Sequence, residues 1–226
     1  MFRTYKLILG RHGESILNSQ NRFSGWIDTP LNKKGIFQSF FMGQKLLNNH
    51  LIPNIIFTSQ LIRTIQTSNI IQHFLKKDIQ TISSWNLNER HYGILQGKNR
   101  NEAIKEYGIE NISAIRNDFY AMPYFFDNKY IYDTNHLINN EKESIIGESS
   151  NMVAKRFLPY FYNEIKYHFM ENNILMIISH KHVLKTLIKE LEEKNDKEYK
   201  EIKIPHDVLF YYEFNEKFQL IKKKTL

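Results

Sequence analysis

The stretch Tyr5-Lys6-Leu7-Ile8-Leu9-Gly10-Arg11-His12-Gly13-Glu14-Ser15 is a short apolar run that breaks at glycine and turns at once into polar residues. A run of this length bounded by glycine reads as a strand buried on both faces. The same pattern recurs at Ile174-Leu175-Met176-Ile177-Ile178-Ser179-His180. Each strand delivers a histidine just past its carboxyl end. In open parallel sheets that end is where ligands bind.

Working outward, shorter strand patterns fall at residues 55–57, 79–82 and 208–214. Helical periodicity fills residues 31–49, 61–75, 151–169 and 183–191, with Pro159 as an expected kink in the third. Strands alternating with helices imply βαβ units and parallel pairing. The expected fold is therefore α/β: a single three-layer domain over residues 1–226, with a mixed, mostly parallel sheet flanked by helices. Residues 89–150 form an excursion from the sheet, helical near 101–107 and 112–119 and a long polar loop over 128–150. Residues 190–201 read as a solvated helix–turn–helix, and Lys222-Lys223-Lys224 as a solvated end.

The 226 residues are 42% apolar and 14% aromatic, enough to bury a core, which excludes wholesale disorder. With no cysteine there is no disulfide, thiol nucleophile or thiolate metal site. No apolar run approaches the ~20 residues of a membrane helix. The opening Met1-Phe2-Arg3-Thr4-Tyr5-Lys6 lacks the apolar stretch of a signal peptide. The expectation is a cytoplasmic protein with no membrane partner. The net charge of +7 suits an anionic partner. The basic residues are scattered rather than gathered in a stripe, and no nucleic-acid motif is present, so a small phosphorylated metabolite is the expected partner.

Two histidines and an arginine at strand ends can hold a metal or handle a phosphoryl group. His180-Lys181-His182 lacks a third ligand at helical spacing, so no metal is expected. A neutral histidine can accept a phosphoryl group, and the charge on that group calls for fixed cations. Arg11 adjoins His12, and Arg63 opens the helix beyond the second strand. Arginine offers a planar fork to phosphate, and Gly13 would let backbone approach the ligand. The leaving oxygen needs a proton donor. Glu89, in Leu87-Asn88-Glu89-Arg90-His91-Tyr92-Gly93, follows the third strand, and Glu14 is its rival by proximity.

Arg11-His12-Gly13-Glu14-Ser15 resembles the signature of the histidine phosphatase superfamily. The similarity continues through Asn18, Asn21 to Trp26, Asp28, Leu31 and Gly35, through Phe57-Thr58-Ser59 to Arg63-Thr64, and through Gly147-Glu148-Ser149 with Arg156. The segment Leu87 to Gly93, with Leu95, Gly97 and Asn99, looks like that of cofactor-dependent phosphoglycerate mutases. The resemblance implies a phosphoglycerate mutase-like fold and a phosphorylated nucleophile at His12. It implies that Arg11, Arg63 and His180 surround the phosphoryl group and that Glu89 is the general acid and base. Asn18, Ser24, Gly25, Arg90, Tyr92, Arg100 and Arg116 would hold cofactor and substrate. It further implies interconversion of 3- and 2-phosphoglycerate primed by 2,3-bisphosphoglycerate, without a metal, in a homodimer or homotetramer.

The chain departs from that pattern at four places. Arg100 stands for lysine. Asn117 stands for an arginine. Lys181-His182 stand for Gly-Asn, which brings Asn117, Lys181 and His182 into the substrate region. The chain also stops at Leu226, short of the family's closing tail. An open site lets water take the phosphoryl group, so the alternative is a metal-independent phosphatase on small phosphorylated substrates. A catalytically idle binding member would have lost His12, Arg11, Arg63, Glu89 or His180, and none is lost.

Overall fold

The computed structural model describes residues 4–123, 147–171 and 174–226. Most of the polar loop expected over 128–150 lies outside the described residues. Six strands form one sheet: β1 (Tyr5–Arg11), β2 (Ile55–Thr58), β3 (Gln80–Ser83), β4 (Ile174–Ser179), β5 (Leu209–Phe214) and β6 (Leu220–Thr225). Their order across the sheet is β3-β2-β4-β1-β5-β6. The first four run parallel, while β5 is antiparallel to β1 and β6 to β5. The sheet is thus mixed and mostly parallel, as expected.

Alternation along the central strands produces the three layers. Leu7, Leu9, Phe57, Leu175 and Ile177 face one side, packing with Val153, Phe157, Val183, Leu184 and Leu187. The latter come from α6 (Ser150–Tyr160) and α7 (Lys181–Leu191). Ile8, Ile56, Met176 and Ile178 face the other side, against Met42, Leu46, Ile71 and Leu75. These belong to α2 (Lys33–Asn48) and α3 (Ile62–Leu75). Each such fully buried side chain contributes about 1.5–3 kcal/mol. A shorter helix, α1 (Ile16–Ser19), follows β1 and is capped by the Ser15 side chain.

The excursion contains α4 (Arg100–Tyr107) and α5 (Ile109–Asn117). Its own small core joins Tyr92, Leu95, Ala103, Ile112 and Ile115 to Phe23, so it closes over the loop that follows β1. Beyond α7, α8 (Asp196–Tyr199) is capped by Asn195 and Glu198, matching the expected polar helix–turn–helix.

Lys222, Lys223 and Lys224 are exposed, as expected of a solvated end, and they also lie in β6, paired with Glu213, Tyr212 and Tyr211 of β5. An edge strand exposed on both faces tolerates lysine, which also discourages pairing with another chain. The helix expected over 151–169 stays regular only to Tyr160, next to Pro159, where the kink is expected. It continues as a wider π turn over Phe161–Ile165 and a tighter 3-10 turn over Lys166–Met170.

Candidate active site

In-register pairing of β1 with β4 sets Arg11 opposite Ser179. His12 and His180, one residue further on, therefore emerge side by side, with ring centroids 4.9 Å apart. The His12 main-chain N–H donates to the Ser179 carbonyl at 3.0 Å. Its Nδ1 lies 2.6 Å from the Gly13 carbonyl oxygen. A carbonyl only accepts, so Nδ1 carries the proton and the Nε2 lone pair is free. Burial, with His180, Arg63, His206 and Arg11 nearby, holds His12 well below the ordinary histidine value. The ring is neutral at physiological pH and poised as a nucleophile.

Gly13 has a different purpose from the one its sequence suggests. A Cβ there would sit 2.2 Å from the Gly35 carbonyl oxygen. It allows the start of α2 to pack against the His12 turn, rather than a ligand to approach. Glu14 serves the same junction: its carboxylate accepts from Asn32 Nδ2 at 2.8 Å and pairs with Lys34 at 3.3 Å.

The His180 Nε2 meets Ser59 Oγ at 2.8 Å, and Ser59 meets Thr64 Oγ1 at 2.8 Å. The other ring nitrogen, Nδ1, is buried and without a partner among the described residues, which leaves it for a ligand. Arg63 is held by the carbonyls of Ile27 at 3.0 Å and Gly25 at 2.7 Å, and Arg11 by that of Ile204 at 3.0 Å. Gly25 has φ +50°, and a Cβ there would meet Gln96 Oε1 at 2.0 Å, so glycine at this position lets Gln96 pack against the turn that holds Arg63. The Nε of both arginines is buried and unpaired among the described residues. Burial, opposed by Glu89, lowers both to about 10, so they stay charged.

Glu89 is fixed from three sides. Its carbonyl accepts from Trp26 Nε1 at 2.5 Å and from Arg156 Nη2 at 3.1 Å. Its Oε1 accepts main-chain N–H bonds from Arg90 at 2.8 Å and His182 at 3.3 Å. Arg156 in turn forms a buried pair with Glu148 at 2.6 Å. A carboxylate held by its own backbone is well placed to pass a proton without moving.

These groups line one cavity of about 530 Å³. His180, Arg90 and His182 are not among the lining residues. His180 is fully buried beside the His12 ring. The cavity gathers Arg11, His12, Asn18, Ser24, Gly25, Arg63, Glu89, Tyr92, Arg100, Arg116, Asn117 and Lys181, all singled out in the sequence. Two expectations fail. Arg90 is fully buried with its guanidinium on the carbonyls of Glu148 at 2.5 Å, Ala121 at 2.6 Å and Ile115, so it clamps the excursion rather than a substrate. His182 is also buried, bonded to Tyr92 at 2.9 Å and Ser150 at 3.0 Å, and supports Tyr92 from beneath. Sequence reading missed Lys185, Lys200, Lys203 and His206, which also line the cavity. Lys185 had a signal, lying one helical turn from Lys181. The other three follow α8, and no strand end announced them.

The fold and the site define an α/β protein with a buried, neutral histidine set among arginines, suited to taking a phosphoryl group. Residues 7–124 match the histidine phosphatase superfamily (branch 1). The chain is 37% identical over 223 residues to a 2,3-bisphosphoglycerate-dependent phosphoglycerate mutase of Blochmanniella pennsylvanica, covering 96% of each chain. It is 35% identical over 227 residues to the protein of the same name from Buchnera aphidicola subsp. Baizongia pistaciae, covering 97% of each. Its fold is also that of a mycobacterial glucosyl-3-phosphoglycerate phosphatase, with a TM-score of 0.73 at 18% identity over 99% of this chain and 97% of that one. The chain belongs to the histidine phosphatase superfamily. Among the described residues no helix is long and apolar enough to cross a membrane.

Proposed function

We propose that the protein interconverts 3- and 2-phosphoglycerate through a phosphohistidine at His12. The observation that carries this reading is the His12 tautomer: Nδ1–H is committed to the Gly13 carbonyl, leaving Nε2 as the nucleophile in a cavity that also holds Glu89. The names and near-complete coverage of the relatives support the substrate.

Nε2 of His12 attacks phosphorus, so the N–P bond forms as the ester P–O bond breaks. Glu89 hands its proton to the departing oxygen. Arg11, Arg63 and His180 Nδ1 meet the charge on the equatorial oxygens. In the return step a hydroxyl of the bound phosphoglycerate attacks phosphorus, Glu89 takes its proton, and the N–P bond breaks.

The cavity suits a ligand with several negative charges. Eight lysine and arginine side chains line it against two carboxylates, Glu14 and Glu89. The Nε of Arg11, Arg63 and Arg100 are buried and unpaired among the described residues. Arg11 and Arg63 would hold one phosphate of 2,3-bisphosphoglycerate and Arg100 with Arg116 the other end. When bound, that cofactor supplies the phosphoryl group that primes His12.

A second reading, net hydrolysis of a small phosphate ester, uses the same residues with water as acceptor. What favours it is Asn117 in the cavity wall beside Arg116, where a second arginine would hold the ligand more firmly. Phosphorus NMR of purified protein with 3-phosphoglycerate and trace 2,3-bisphosphoglycerate separates the two. Formation of 2-phosphoglycerate at constant organic phosphate supports the mutase; inorganic phosphate without 2-phosphoglycerate overturns it. His12→Ala should lose at least about a thousandfold in either case.

A further inference from the structure

One side of the cavity carries cations that the chemistry at His12 does not use. The first residue of α7, Lys181, and Lys185 one turn later both line the cavity. Lys185 is fully buried, its Nζ 4.1 Å from the centre of the Tyr199 ring. That Nζ has no hydrogen-bond acceptor among the described residues. Neither lysine forms an ion pair with a described carboxylate. A buried ammonium without a partner is costly unless an anion joins it. Lys181 and Arg116 line the same cavity, and burial, with Arg116 and Lys185 nearby, lowers Lys181 to about 7. A group crowded by cations gains most from an arriving anion.

We propose that Lys181, backed by Lys185 and facing Arg116, forms a subsite for the second anionic group of the substrate, the one not being transferred at His12. The pair Lys181 and Arg116 would supply the clamp that Asn117 leaves incomplete. The subsite would make the protein prefer phosphorylated carboxylic acids to phosphorylated alcohols of the same size. This inference rests on the reading that a phosphoryl group docks at His12, but not on what becomes of it.

The test is a pair of dissociation constants measured by calorimetry in a His12→Ala background, which does not turn ligand over. The ligands are 3-phosphoglycerate and glycerol 3-phosphate, which differ by one carboxylate. The parent should favour 3-phosphoglycerate by about tenfold or more. Lys181→Met should remove most of that preference and leave glycerol 3-phosphate binding within about twofold, while Lys181→Arg should retain the preference. An unchanged preference in Lys181→Met, or an equal weakening of both ligands, overturns the subsite. The readout is selectivity rather than turnover. A protein that releases inorganic phosphate in the NMR assay, yet loses selectivity with Lys181, would overturn the mutase reading and keep the subsite.

Discussion

The imidazole of His206 donates from Nδ1 to the main-chain carbonyl of His12 at 2.6 Å, and the two rings lie 5.3 Å apart. His206 thus steadies the backbone that carries the nucleophile. His206→Phe keeps the bulk and removes the donor, leaving a buried carbonyl unpaired. The expected result is a fall in kcat of about tenfold with KM little changed, because His12 is less well aimed. His206→Asn, which can still donate, should recover part of the loss. Equal activity in all three proteins would show that the contact does not position His12.

Acid should destabilise the protein through its buried histidines. Burial holds His12, His180 and His182 well below the ordinary value, and brings His91 and His206 to about 4. The unfolded chain binds these protons near pH 6.5 and the folded chain does not. Their contribution is fully present above about pH 6.5 and is lost as pH falls toward the folded values, at about 1.4 kcal/mol per pH unit for each histidine. Thermal melts should show Tm dropping by roughly 10 °C between pH 6.5 and 5.5. A flat Tm across that interval would contradict the neutral, buried state of the cluster.

Arg90 ties Ile115, Ala121 and Glu148 together through their carbonyls. Arg90→Lys keeps the charge but cannot reach all three. It should lower unfolding free energy by about 2–3 kcal/mol, with faster hydrogen exchange in α5. Unfolding in denaturant with KM followed in parallel decides the matter: an unchanged midpoint with a raised KM would return Arg90 to the ligand.

Asn117 sits in the cavity wall without a charge. In the Lys181→Met protein, adding Asn117→Arg should restore an anion clamp from the opposite side. Affinity for 3-phosphoglycerate should rise about tenfold over the single variant. No gain would mean that the side chain at 117 cannot reach the ligand.

Strand ends were the strongest sequence signal, and they located His12, His180 and the sheet. What sequence could not show was direction. Glu89 and Arg90 are neighbours, yet Glu89 lines the cavity while the Arg90 guanidinium reaches into the excursion. Lys181 and His182 are neighbours at a helix start and part in the same way, one to the ligand space and one to the core. A motif places both members of such a pair near the site without saying which one enters it. His206 and Lys203 were invisible for another reason, since only the packing of the segment after α8 brings them to His12. β6 escaped because an edge strand exposed on both faces shows no alternation of apolar residues.

Strand β1 is made first and paired last. Both of its neighbours in the sheet, β4 and β5, come from the C-terminal part of the chain. During synthesis the apolar Leu7-Ile8-Leu9 segment must wait with both edges open until residues beyond Ile174 leave the ribosome. That interval favours mispairing with other chains and creates a need for chaperone shelter. It also means that a chain terminated before Ile174 carries His12, Arg11, Arg63 and Glu89 but lacks His180, His206 and the two strands that hold β1 in place.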